Sequence, residues 1–239
     1  MTQVNITESK ENQGNLYYIQ SIISELLTNA KCSVKEISLG KRSVLRIECP
    51  EHYADIIRAE IIDKIAEIIV IKYKYDFFKK TLSIGGLNSN EKELLITSLI
   101  AADFEDDKRY SVERLKSMEE IAVDGVYNFR LSPLKRKWED VVSYMPGCFI
   151  SNQLKDFISF LLENKKKRVY IDCGKVYDCH FRRLKRASLL EGDELKITRE
   201  VLLSNCGEIE ITGELPSLDE KYIREYYGDK IFFSNGYSL

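Results

Sequence analysis

The chain has 239 residues, 44% of them hydrophobic and 31% charged, with a formal net charge of −2. These values fit an ordinary globular protein with a sizeable core, and they exclude extended disorder and a uniformly basic, constitutive nucleic-acid binder. The first fifteen residues are polar at Asn5, Asn12, Gln13 and Asn15 and lack the features of an export signal, while the apolar runs at 68–71 and 94–102 fall short of the ~20 residues that cross a bilayer. A cytoplasmic protein without a membrane span is expected.

Leu16, Ile19, Ile22, Ile23, Leu26 and Leu27 recur at spacings of three and four, which predicts an amphipathic helix over 16–30. Partial alternation over 33–39 and 43–49, around Gly40-Lys41-Arg42, predicts a β-hairpin. From His52 to about Lys80 a wide isoleucine stripe predicts a long buried helix, and it carries the β-branched run 68–71 within its period. Asn90 and Glu93 have the spacing of a capping box and suggest a helix start, with the charged stretch 105–109 either solvated or a break. Further helices are expected from Ser111 towards Val123, over 138–144 and over 149–163.

Near residue 165 the period changes from 3.6 to 2. Strands over 168–172 and 175–181 flank Cys173-Gly174, a hairpin signal. Glu208–Thr212, a helix opened by Ser217 and Glu220 and ended by Gly228, and Ile231–Phe233 form a strand-helix-strand unit, which predicts a parallel pair. The expected fold is therefore mixed α+β. A mainly helical region over 1–164 contains the small hairpin (33–49), and a small α/β layer follows over 165–239.

Six cysteines at 32, 49, 148, 173, 179 and 206 lack any paired Cys-x-x-Cys, so they read as free thiols, with neither a metal site nor a cofactor implied. Cys179 and His180 suggest a thiol-dependent enzyme, but neighbours in a strand point to opposite faces. That reading ranks last.

The basic stretch is the strongest candidate for binding. From Lys165 to Arg186 nine basic residues stand against two acidic ones, a local +7, while from Ala187 onward eleven acidic residues against five basic give −6. Lys165, Lys166, Lys167 and Arg168 at one end and Arg182, Arg183, Lys185 and Arg186 at the other, interleaved with Tyr170, Tyr177 and Phe181, are expected to be gathered by the hairpin. There they could meet nucleic acid or another anionic ligand. The competing reading is a solvated sheet edge partly neutralised by the acidic end of the chain.

Val123–Leu131 matches no catalytic fingerprint. Among its apolar residues Asn128 and Arg130 are expected to satisfy buried polar needs, Arg130 pairing with Asp124 or Glu119, with Gly125 allowing close packing beside Phe129. The run Gly125, Val126, Tyr127, Asn128, Phe129, Arg130, Leu131 resembles the Gly-Phe-hydrophobic-Asn-Phe-Arg-Leu motif of the YtxC-like sporulation protein family of endospore-forming bacteria. Val201–Asn235 is similar to that family's closing sequence of segments. The resemblance implies a link to spore formation and carries no catalytic residues. It suggests a non-enzymatic protein acting on an unidentified macromolecular partner, with the oligomeric state open.

Overall fold

The hairpin expected over 33–49 is present in the computed structural model of the chain, which describes residues 2–118 and 120–234. Its strands β2 (Ser33–Leu39) and β3 (Arg42–Cys49) pair from Ser33 opposite Glu48 to Leu39 opposite Arg42, leaving Gly40 and Lys41 as the turn. A further strand, β1 (Thr2–Ser9), was not expected from the polar start of the chain. It pairs antiparallel with β3 along its whole length, and β4 (Ile121–Ala122) adds in parallel at its other side, giving the order β2-β3-β1-β4. Val4, Ile6 and Glu8 alternate inward on β1, so a carboxylate occupies a core position. It is held there by Asn15 Nδ2 at 2.9 Å, Tyr73 Oη at 3.0 Å and the Ser9 amide at 2.8 Å, yet burial still pushes the Glu8 carboxyl above its ordinary value.

The chain divides into two compact units, neither continuous in sequence: 1–74 with 105–143, and 75–104 with 144–239. The composition change near residue 165 lies inside the second. The mixed α+β class is as expected, and no helix among the described residues is long and apolar enough to cross a membrane.

In the first unit α1 (Gly14–Asn29) packs on α2 (Ala54–Ile68), burying Ile19 and Ile23 on one and Ile57, Ile61 and Ile65 on the other. The β-branched run does remain helical, but through a π turn over Ile69–Tyr73, whose wider winding keeps Ile69, Val70, Ile71 and Tyr73 all buried. Lys74 opens α3 (Lys74–Thr81). The charged stretch 105–109 is no break: α4 runs unbroken from Ser89 to Lys116 because Asp107 points into the core. Its cap also falls two residues earlier than expected, where the Glu91 amide donates to Asn88 Oδ1 at 2.9 Å and the Asn88 amide donates to Glu91 Oε2 at 3.0 Å.

Asp107 joins three helices. Lys74 Nζ lies 2.7 Å from its Oδ2, Trp138 Nε1 donates to the same oxygen at 2.9 Å, and Lys137 Nζ reaches Oδ1 at 2.7 Å. Lys74 and Asp107 are 0% and 1% exposed, so this is a pair removed from water and not a surface contact. Trp138 and Lys137 sit on α6 (Ser132–Tyr144), which tolerates Pro133 in its first turn.

In the second unit α7 (Ser151–Leu162) leads into a sheet of order β6-β5-β7-β8. Strands β5 (Arg168–Asp172) and β6 (Lys175–Tyr177) join through Cys173 and Gly174 at φ 47° and 72°, a turn whose left-handed backbone favours glycine at its second position. β5 and β7 (Glu208–Thr212) are parallel, and the crossover carries α8 (Lys196–Ser204), a helix the sequence reading lacks. The expected strand-helix-strand unit follows as β7, α9 (Ser217–Tyr227) and β8 (Ile231–Phe233), with β7 and β8 parallel. Ser217 and Glu220 form no capping box; the Glu220 amide bonds the Pro216 carbonyl and its side chain pairs with Arg224. Strand β6 stops at Tyr177, short of the expected Phe181, because Asp178 accepts the His180 and Arg182 amides at 2.9 Å each and turns the chain. Gly207 lies so close to the chain before β5 that a Cβ there would sit 2.0 Å from the Lys165 carbonyl oxygen.

Two stability predictions follow from these contacts. Asp107→Asn leaves Lys74 buried without its carboxylate and should cost about 3–5 kcal/mol in denaturant unfolding. Burial pushes the Asp107 carboxyl up, but Lys74, Lys137 and Trp138 together outweigh it and hold it below its ordinary value. Its stabilisation is thus complete above the unfolded carboxylate pKa and lost as pH falls towards the lower folded value, so the variant should show a flatter stability profile on acidification. An unchanged midpoint and profile would contradict this. Gly207→Ala should lower stability by about 3 kcal/mol by displacing the chain at Lys165, measurable as a lower unfolding midpoint.

Candidate functional site

The eight basic candidates do not behave alike. Arg168 is committed across the sheet, with Nη2 2.7 Å from Glu208 Oε2, Nη1 3.3 Å from Glu210 Oε2 and its guanidinium over the Phe232 ring. Arg182 returns to Asp178 with Nε at 2.9 Å. Arg186 lies 4.5 Å over the Phe104 ring and donates to the Leu203 carbonyl. Lys165, Lys166 and Lys167 are exposed ahead of β5, whose Lys167 carbonyl accepts the Gly207 amide. Arg183 is exposed and Lys185 half-buried, and neither has a side-chain hydrogen bond or ion pair among the described residues.

Strand register separates these groups. After the turn at Asp178 the chain runs back along the outer edge of β6, with Arg183 opposite Tyr177 and the Leu184 amide bonded to the Val176 carbonyl. Lys185 is thereby carried towards Lys175 at the hairpin turn. Lys165–Lys167 stay at the other end of β5, with Lys167 roughly 16 Å from that turn along the strand at ~3.3 Å per residue. The hairpin therefore does not gather all the cations into one patch.

A cavity of about 180 Å³ lies beside that edge, lined by Gly174, Lys175, Arg183, Lys185, Ser188 and Lys196. Its acidic residue, Glu200, is occupied: its two oxygens accept the Arg186 amide at 2.9 Å and the Ala187 amide at 2.7 Å. Lys196 pairs with exposed Asp193 at 3.3 Å. Lys175, like Arg183 and Lys185, has no side-chain partner among the described residues, although Asp172 is its cross-strand neighbour. Lys196, Ser188 and Glu200 were beyond the sequence reading because they enter the cavity from the missed helix α8 and the turn before it.

The register also lines up side chains on one face of the sheet. Arg183, Tyr177, Tyr170, Glu210 and Phe232 are successive partners across β6, β5, β7 and β8. The alternate residues Val169, Ile171, Val176, Ile209 and Ile211 are buried, so this row occupies the open side. Phe181 stacks on Tyr170 with ring centroids 4.7 Å apart, and both Phe181 and Phe232 remain exposed. The aromatic interleaving seen in sequence is thus a surface of stacked rings next to unpaired cations.

Two sequence expectations are overturned. Asn128, Phe129 and Arg130, at the end of α5 (Val123–Arg130), are exposed, Phe129 to 81%, while Val123, Val126 and Leu131 face inward. The helical period places the polar pair outside, and Asp124 serves Arg42 instead, at 2.6 and 3.0 Å; Glu119 lies outside the described residues. Gly125 does pack tightly, since a Cβ there would be 3.2 Å from that of Ala122. Tyr127 turns inward, 4.4 Å from the Tyr73 ring and 6.2 Å from that of Trp138. Cys179 and His180 also differ from expectation: they lie in the turn and not in a strand, and Sγ is 3.3 Å from Nδ1. Among the described residues no group of His, Cys, Asp and Glu is arranged to hold a metal ion. No family model, no curated protein and no solved structure matches the chain.

Proposed function

We propose that the second unit binds single-stranded nucleic acid on the open face of its sheet, without catalysis. The observation that carries this reading is the alignment of Arg183, Tyr177 and Tyr170 in one row, with Phe181 stacked beside them and Lys175 and Lys185 at the same edge. Unpaired bases stack on such rings with about 1–3 kcal/mol each, which a stacked duplex does not offer. The three cations can take phosphates without first breaking an ion pair. Local charge, not the −2 of the whole chain, governs such docking. Glu210 lies within the row and shares Arg168 with Glu208, which offsets one of the two negative charges.

A second surface favours a protein partner. The exposed Phe129, between Asn128 and Arg130 at the end of α5, is a large apolar side chain left in water within the segment that resembles the sporulation family. That resemblance supports placing the protein in spore formation.

Fluorescence anisotropy with a labelled 20-nucleotide single strand tests the first reading. Affinity should fall with salt at a log-log slope of about −2, from three phosphate contacts at about −0.7 each. Charge reversal of Arg183 and Lys185 should abolish it, and Tyr170→Ala should weaken it about tenfold. Absent binding at low salt, or equal affinity for duplex, would refute it. Deletion of the gene should block spore formation while vegetative growth continues; a normal spore yield counts against that setting.

A further inference from the structure

Cys179 differs from the other exposed cysteines. Cys49 and Cys206 are buried, Cys32 is half-buried, and Cys148, Cys173 and Cys179 are exposed. Cys148 and Cys173 have no side-chain hydrogen bond among the described residues, whereas Cys179 Sγ lies 3.3 Å from His180 Nδ1. A turn built by neighbouring residues sets this contact. Asp178 Oδ1 accepts the His180 and Arg182 amides at 2.9 Å each, its Oδ2 accepts Arg182 Nε at 2.9 Å, and Phe181 adopts φ 57°. The carboxylate thus fixes the backbone on both sides of the imidazole, and the ring faces the thiol.

We propose that Cys179 is a thiol modification site that forms a mixed disulfide with a low-molecular-weight disulfide, His180 acting as its base. As Sγ attacks one sulfur of the disulfide, its proton passes to Nδ1. A bond forms between Sγ and that sulfur, the original S–S bond breaks, and the departing thiolate takes the proton back from the imidazole. One disulfide is consumed, and one mixed disulfide and one thiol are produced, with no other oxidant. The nucleophile, its base and their exposure are all present, while Cys173, six residues earlier at the hairpin turn, supplies an internal comparison with exposure but no base. The site does not depend on nucleic-acid binding, although it lies two residues from Phe181.

The test uses the folded, reduced full chain. A brief exposure to limiting iodoacetamide, then denaturation and labelling of the remaining thiols with an isotopically heavy form, gives the rate at each cysteine by peptide mass spectrometry. Cys179 should react about fivefold faster or more than Cys148 and Cys173. His180→Ala and His180→Gln should each bring it down to the Cys173 rate with an unchanged circular dichroism spectrum, and oxidised glutathione should add its adduct first at Cys179. A Cys179 rate no greater than that of Cys173, or one indifferent to both His180 substitutions, overturns the proposal.

Discussion

The ion pair between Lys74 and Asp107 is the constraint on which the first unit depends. Two charges removed from water are favourable only if their remaining hydrogen-bonding capacity is met, and here Trp138 and Lys137 complete the carboxylate. The consequence spreads through ring contacts. Trp138 stacks with Tyr127, Tyr127 lies against Tyr73, and Tyr73 donates to the buried Glu8, which also holds Asn15 at the start of α1. Helices α3, α4, α5 and α6 and strand β1 are therefore linked by one polar and aromatic chain. Apolar packing alone would tolerate a helix sliding by a turn, whereas a half-satisfied buried network would not.

Charge is spent differently in the second unit. The local +7 and the −6 that follows it do meet, since Glu208 and Glu210 take Arg168 and Glu200 holds the backbone at Arg186 and Ala187. Net charge per segment therefore overstates what is available to a partner. What remains is set by position: Lys175 on β6, and Arg183 and Lys185 on the returning chain bonded along its outer edge, lie beyond the reach of acids on β7. An edge strand bearing unpaired cations also resists pairing with a second sheet, so the same residues protect the fold and keep the face open.

Much of the fold was legible wherever apolar periodicity was unbroken: α1, the first hairpin, the Cys173-Gly174 turn and the β7-α9-β8 unit. The errors at β1, α4 and α8 share one cause, which is buried polar residues. Glu8 hid β1, Asp107 made the middle of α4 look solvated, and Thr198, Arg199 and Glu200, all buried, hid α8. Pattern reading assigns charges to the surface, and these sites invert that assumption because their partners are distant in sequence: Tyr73 for Glu8, Lys74 for Asp107, Asp219 for Thr198. The opposite error occurred in α5, where a mixed apolar segment suggested buried Asn128 and Arg130. Helical spacing from Val123 and Val126 to Leu131 places them outside. The aromatic and basic interleaving at 165–186 was visible in sequence, but which cations stay unpaired depends on register across four strands, which no local pattern contains.

Asp178 links the two surfaces of the second unit. Its carboxyl is pushed up by burial but held below its ordinary value by the amides of Arg182 and His180 and by the Arg182 guanidinium. Those contacts end β6 after Tyr177 and set the left-handed Phe181 that lets its ring reach Tyr170. They also orient His180 towards Cys179. A single short side chain thus determines both the edge of the aromatic row and the geometry of the thiol. Because the turn is exposed and carries little apolar packing of its own, its order rests on these hydrogen bonds and the Phe181 stack, and a bulky group added at Cys179 would act on the same few contacts.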